Sequence, residues 1–236
     1  MGVHATVVWR RQEAPSAGQG AWAVVIDVLR ATSSIATALA AGAASIWPVD
    51  EVEAALAAKR EVAHALLAGE RSCRIIPGFD LGNSPAAFSV PAMAGRRIIM
   101  ATTNGSRALA AARQAGFDRV LTASLLNIGA VASAIAGSGA ERLVLICAGT
   151  NGAFSLDDAV VAGALLERIP DMVADDSALA ARTLYRAARE DVVGVFFRSQ
   201  AGQNLIAAGM RGDVEFCAQT DAFDVVPHLE GDVLVR

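Results

Sequence analysis

The chain has 236 residues, with 24 acidic against 20 basic side chains, a formal net charge of −4 and a pI near 5.4. That balance gives no electrostatic footprint for nucleic acid. The 54% hydrophobic content, carried mostly by Ala, Val, Leu and Ile, excludes a disordered chain and predicts one domain over 1–236, with 170–236 packed on it as an extension.

The three cysteines, Cys73, Cys147 and Cys217, are odd in number and far apart. They form neither a disulfide framework nor a CxxC knuckle, so a reducing cytoplasm is the expected location. No apolar run of signal-peptide type follows the N-terminus. Two charge-free stretches, 31–49 and 120–140, are long enough to imitate membrane spans. Gly42 and Pro48 break the first; Asn127, Gly129, Gly137 and Gly139 break the second. Each is expected to be a buried strand and helix, and no membrane partner is expected.

In chain order, Val3–Arg10 alternates weakly and predicts a strand, and 11–20 a loop. The apolar run at 22–28 predicts a strand buried on both faces, followed by a helix from Thr32 to Ala41. Ser45–Val49 is a short strand. Asp50 with Glu53 has the spacing of a capping box, which opens a helix to about residue 62. Ala65–Ala68 predicts a strand ending in Gly69-Glu70-Arg71. Residues 71–95 contain Pro77, Pro85 and Pro91 and keep no period, so a long loop bordering the site is expected there. Strands at 97–101, 119–124 and 143–148 alternate with helices at 103–114, 127–136 and 155–168. Further on, 177–189 and 192–208 are expected to be helical, and 214–218 and 224–226 to be strands. The alternation argues for an α/β fold whose parallel sheet carries helices on both faces.

One pattern recurs: an apolar strand ends, and small polar residues open the next helix. Asp27, Arg30, Thr32 and Ser33 follow the first central strand. Thr102, Thr103, Asn104, Gly105, Ser106 and Arg107 follow the second, and Ser124 and Asn127 the third. Gly149 to Gly152, then Ser155, Asp157 and Asp158, follow the fourth. In a parallel sheet these junctions share an edge, and helix N-termini with small residues make an anion site. Each cluster also reads simply as an N-cap, and Ser155 with Asp158 as a capping box. The Thr102–Gly105 cluster holds more polar groups than one cap needs, and close approach of a ligand would explain Gly105.

Asp27 has two readings. It pairs with Arg30 or caps the helix, or it binds a metal beside a phosphate-binding helix start. Asp27, Glu70, Asp80, Asp157 and Asp158 are the acidic residues near this edge, and carboxylate oxygens are what Mg²⁺ prefers. Arg30, Arg71, Arg74 and Arg107 are placed to receive anionic oxygens. The P-loop, the GxGxxG fingerprint and the GxSxG elbow are all absent, and His4, His64 and His228 lack metal spacing. Cys147 is either a nucleophile or a buried structural thiol, the latter being the commoner role.

Several segments together resemble the 2-phosphosulfolactate phosphatase family. They are VVIDVLRATSSIATALAAGA at 24–43, LLAGER at 66–71, GFDLGNSP at 78–85, TTNGSRAL at 102–109, CAGTNGAFSLDDAVVAGAL at 147–165 and DVEFCAQTDAFDVVPHL at 213–229. The resemblance implies a three-layer α/β/α sandwich with a mostly parallel, mixed sheet. It also implies Mg²⁺-dependent hydrolysis of 2-phospho-3-sulfolactate to sulfolactate and phosphate, a step of coenzyme M biosynthesis.

The combined expectation is a phosphatase with Asp27, Arg30, Asp80 and Asn104 at the reacting centre, and with Asp27, Glu70 and Asp80 as metal ligands. Thr32, Asn83, Ser84, Thr102, Thr103, Gly105, Arg107, Ser124 and Asn127 are the expected substrate contacts. The expected partner is a small anionic phosphorylated metabolite, and a homodimer is compatible with the sequence. The competing readings are a phosphatase for another phosphorylated hydroxy acid and a non-catalytic phosphometabolite- or nucleotide-binding module.

Overall fold

The computed structural model describes residues 2–62 and 64–236. Strands β1 (His4–Val8) and β2 (Ala21–Ile26) lead into α1 (Ala31–Ala40), β3 (Ser45–Val49), α2 (Val52–Glu61) and β4 (Leu66–Arg71). A two-residue β5 (Arg74–Ile75) and a one-turn α3 (Pro85–Phe88) interrupt the long excursion before β6 (Arg97–Ala101). Then come α4 (Gly105–Ala115), β7 (Arg119–Ala123), α5 (Ile128–Ala136), β8 (Arg142–Cys147), α6 (Leu156–Leu166) and β9 (Val173–Ala174). The C-terminal part holds α7 (Asp176–Ala188), α8 (Val192–Arg198), α9 (Gln200–Ala207), α10 (Arg211–Cys217), β10 (His228–Glu230) and β11 (Val233–Val235).

The strands form one mixed sheet in the order β5-β4-β6-β3-β11-β10-β7-β2-β8-β1-β9. Two parallel sets, β4-β6-β3 and β7-β2-β8-β1-β9, are joined in the middle by the antiparallel hairpin β10–β11. Val24, Val25 and Ile26 of β2 have no exposed surface, as two-sided burial of a parallel strand requires. Val24 and Ile26 face a core built with α5, α6, α7 and α10, whereas Ala23 and Val25 face α1 and α4 together with Ile98 and Met100 of β6. A third, smaller core packs α2 against Leu67 of β4 and Ile99 of β6. The α/β sandwich expected from the alternation is therefore present.

Both charge-free stretches resolve into short elements, the first into α1 and β3, the second into β7 and α5. Among the described residues no helix is long and apolar enough to cross a membrane. Other expectations are corrected. Residues 214–218 lie in or at the end of α10, not in a strand, and 224–226 is irregular. The long helix expected over 192–208 breaks at Ser199, whose hydroxyl caps α9 by accepting from the Gly202 N–H. Glu51, not Asp50, precedes α2, with no side-chain cap bond.

Candidate active site

The junctions after β2, β4, β6 and β8 open onto one cavity of about 560 Å³. Asp27 and Arg30 come from the β2 end, Glu70 and Arg71 to Arg74 from the β4–β5 hairpin, and Thr102 to Asn104 from the β6 end. Gly149 to Asn151 follow β8, and Asp157 and Asp158 begin α6. The C-terminal third, which supplies none of the contacts expected from the sequence, closes one side with Asn204 and Leu205 of α9.

Asp27 is 8% exposed. Its main-chain N–H donates to Thr32 Oγ1 (3.3 Å), and the Thr32 N–H returns a bond to the Asp27 carbonyl (2.9 Å). Thr32 thus braces the backbone beneath Asp27 and is itself buried outside the cavity lining. Burial pushes the Asp27 carboxyl up to about 7, aided by the charges of Asp157 and Glu70, while N–H groups of Gly105 and Ala31 pull the other way. Those two residues begin α4 and α1, so two helix starts aim donors at one carboxylate. Gly105 is required by this approach. A Cβ there would stand 2.5 Å from Ala31 Cβ and 2.8 Å from Asp27 Oδ2. The glycine accommodates Asp27 and not, as the sequence suggested, a ligand directly.

Asp158 does not complete a capping box with Ser155. Its Oδ1 accepts from the Val28 N–H (3.0 Å) and its Oδ2 from the Gly149 N–H (3.1 Å), tying the β2 and β8 ends together. Burial, then the charges of Asp157 and Asp27, raise its pKa well above the ordinary carboxylate range. Asp157, 2% exposed, accepts from Ser155 Oγ (2.8 Å) and is also raised, chiefly by burial. The sequence shows both as an acidic pair opening a buried helix, yet neither was among the expected site residues. Glu70 is a clasp: Oε1 accepts from the Thr103 N–H (3.0 Å) and hydroxyl (2.7 Å), and Oε2 from the Cys73 N–H (2.9 Å).

Arg30 is 3% exposed, donates to Asp213 Oδ2 (2.6 Å) and to the Cys73 carbonyl (3.2 Å), and still lines the cavity. Asp213 also takes the Ser84 hydroxyl (2.6 Å), which places Ser84 behind the wall and not on it. Asn83, 4% exposed, lines the cavity with a buried Oδ1 that has no hydrogen-bond partner among the described residues. Thr102 Oγ1 accepts from the Ser106 N–H (3.0 Å), while the Asn104 side chain makes no cap bond.

Besides Thr32, Ser84 and Gly105, four further expected site residues stand outside the cavity lining. Asp80 is exposed, and its Oδ2 accepts from the Leu67 N–H (2.8 Å), so the carboxylate supports β4 instead of a ligand. Arg107 pairs with Glu51 at the surface (2.9 Å). Ser124 and Asn127 form a closed capping box, with Asn127 Nδ2 donating to the Val225 carbonyl (3.1 Å). Of the long 71–95 excursion, 71–74 and Asn83 border the site. Burial drives the Cys147 thiol well above its ordinary value, which suits a structural cysteine and not a nucleophile.

Among the described residues no group of three or more His, Cys, Asp or Glu side chains is placed to hold a metal ion. Mg²⁺ does not demand such a cage, since one or two carboxylates with substrate oxygens and water suffice. Asp27 and Asp157 fit that requirement: they are oxygen donors on one cavity, and the charge of Asp157 raises the cost of ionising Asp27 in a way that a cation would relieve.

The family model for 2-phosphosulpholactate phosphatase matches residues 9–232. A probable 2-phosphosulfolactate phosphatase of Symbiobacterium thermophilum is 43% identical over 223 residues, covering 92% of this chain and 94% of its own. Proteins of the same description from Deinococcus radiodurans (42% over 212 residues, 88% and 87%) and Thermotoga maritima (38% over 213 residues, 90% and 91%) are also similar. The chain belongs to the 2-phosphosulfolactate phosphatase family.

Proposed function

We propose that this protein is a Mg²⁺-dependent phosphoric monoester hydrolase that converts 2-phospho-3-sulfolactate to 3-sulfolactate and phosphate. The observation that carries this reading is the buried Asp27 carboxylate, which meets two helix N-termini on the floor of a cavity also lined by Arg30 and Asp157. The names of the similar proteins supply the substrate.

In this reading Asp27 and Asp157 hold the Mg²⁺, with Glu70 nearby but already engaged through both of its oxygens. When bound, the ion neutralises charge on the phosphoryl oxygens and favours deprotonation of water at neutral pH. Arg30, fixed by Asp213, presents the rest of its guanidinium to the phosphoryl group and stabilises charge there without having to reorganise. Asn104 orients the ester at the start of α4, whose dipole favours the anion, beside Thr103, whose donors Glu70 already holds. The unpartnered Asn83 Oδ1 accepts from a proton-bearing group in the cavity, such as the attacking water or the hydroxyl of the product.

The test is release of inorganic phosphate from 2-phospho-3-sulfolactate, with Mg²⁺ and after chelation. Turnover that stops with chelator and returns with Mg²⁺ supports the reading. Turnover unaffected by chelator removes the metal from it, and no turnover on phosphorylated hydroxy acids removes the activity.

A further inference from the structure

The β4–β5 hairpin turns through Ser72 and Cys73, both in the left-handed region at φ 50° and 64°. This tight turn sets Arg71 directly opposite Arg74. Like charges in that relation destabilise a strand pair, and nearby carboxylates would normally offset the repulsion. Here, among the described residues, no carboxylate lies at ion-pair distance from either. Arg71 donates to the Glu70 and Asp50 carbonyls (2.9 and 2.7 Å), and the Arg74 side chain makes no hydrogen bond among the described residues. Both residues line the cavity, Arg74 at its exposed rim.

The hairpin is also held in place. The Cys73 N–H donates to Glu70 Oε2 and the Cys73 carbonyl accepts from Arg30, while Glu70 Oε1 grips Thr103. The turn is therefore coupled to the arginine and the helix start that face the phosphoryl group. Two guanidiniums without carboxylate partners, at opposed positions of one anchored hairpin, offer paired donors to a tetrahedral or planar oxyanion.

We propose that Arg71 and Arg74 form a second anion subsite, which reads the non-phosphoryl acid group of the substrate, a sulfonate or carboxylate. The proposal rests on the phosphatase reading, which assigns the phosphoryl group to the Asp27 floor and leaves the substrate's other end at the rim.

Calorimetric binding to the full-length protein tests it with ligands that lack phosphate: 3-sulfolactate, its dicarboxylate counterpart malate, and inorganic phosphate as the third arm. Wild type should bind 3-sulfolactate, and Arg74→Gln should weaken that binding about 10- to 100-fold while weakening inorganic phosphate much less. Arg71→Gln, reaching the same anion from the opposite strand, should reproduce the loss. The relative affinities of 3-sulfolactate and malate then tell which acid group the fork prefers. No binding of either phosphate-free ligand to wild type, unchanged binding in both variants, or an equal loss for inorganic phosphate would overturn the proposal. None of these readings needs turnover. A wild type that releases no phosphate but binds 3-sulfolactate through Arg74 would therefore refute the phosphatase reading and leave the subsite standing.

Discussion

The junctions after β6 and β7 both open on a hydroxyl residue with an asparagine close behind, and they end in opposite states. After β6 the chain reads Thr102-Thr103-Asn104-Gly105, and after β7 Ser124-Leu125-Leu126-Asn127. At the β7 junction the polar groups close on each other. Asn127 Oδ1 accepts from the Ser124 N–H (2.9 Å) and hydroxyl (3.0 Å), and Asn127 Nδ2 donates to Val225. The returning C-terminal segment also donates from Asp221 and Phe223 to the Leu125 and Leu126 carbonyls, so the junction is covered. At the β6 junction Thr103 and Asn104 remain half-buried on the cavity wall, beside Asp27. Small polar residues after a strand thus satisfy the helix start in both cases. What separates a site from a cap is whether a distant part of the chain returns over it.

The largest expected effect comes from removing the charge on the open side. Asp27→Asn should lower phosphate release by about 10³-fold, the scale seen when a preorganised group at a reacting centre is lost. The same variant should be more stable than wild type when free of metal at about pH 8. The folded pKa of about 7 lies above the ordinary value of 3.8. Below about pH 4 both states hold the proton and no penalty arises. Between about pH 4 and 7 the unfolded chain ionises first, so stability falls as pH rises, and above about 7 the whole penalty is present. Thermal melts of the chelated proteins should therefore diverge from about pH 4 to pH 8, with the Asp27→Asn variant melting higher. Parallel melts would show that the Asp27 charge carries no burial cost.

Part of this comparison was legible in the sequence. Asp27 stood out because a charge at the end of a fully apolar strand demands a reason, and the alternation of elements specified both the sheet and its shared edge. The closure of the β7 junction was not legible, because it depends on Val225, nearly a hundred residues away. The β10–β11 hairpin that bridges the two parallel sets has strands of only three residues, too short for any period to register. Its one local signal was Gly231-Asp232 between two short apolar runs. Residues 214–218 illustrate the ambiguity of a short apolar run, which a buried helix and a strand share. Asp80 was misplaced for a related reason: the excursion folds back on β4, and its carboxylate meets the Leu67 N–H.

Two glycines sharpen the contrast at the next level. A Cβ on Gly105 or on Gly129 would stand 2.8 Å from a carboxylate oxygen, that of Asp27 or Asp221 respectively. Asp221 is an exposed side chain that can move aside, whereas Asp27 is enclosed and Ala31 stands at 2.5 Å as well. Gly105→Ala is expected to cost about 1–3 kcal/mol of stability and about 100-fold in kcat/KM. Gly129→Ala should change stability by less than about 1 kcal/mol, since a better helix former offsets the displaced Asp221 contact. Denaturant melts with steady-state kinetics would decide, and equal activity losses at the two positions would erase the distinction.

The two asparagines should split stability from activity. Asn127→Ala leaves a buried N–H and carbonyl unpaired and is expected to cost about 2–3 kcal/mol, with kcat per folded molecule unchanged. Asn104→Ala, at a helix start without a side-chain cap bond, should change stability by less than about 0.5 kcal/mol and lower kcat/KM about tenfold. A kinetic defect in folded Asn127→Ala protein would mean that the covered junction still communicates with the cavity.

The smallest expected effect is at Arg107, which shares α4 with Gly105 but pairs with Glu51 across the surface, both side chains being about half exposed. A screened, solvent-exposed pair of this kind contributes less than about 1 kcal/mol. Arg107→Ala should shift the denaturation midpoint barely beyond error and leave kcat/KM within about twofold of wild type. The comparison with Arg30 gives this near-silence its meaning. Both arginines belong to a polar cluster after a strand, but Asp213 fixes Arg30 inside the cavity while Glu51 holds Arg107 away from it. If Arg107→Ala instead lost more than about tenfold in kcat/KM, Arg107 would have to leave Glu51 and turn inward when substrate binds. In that case the β6 junction would be a moving wall, not a fixed one.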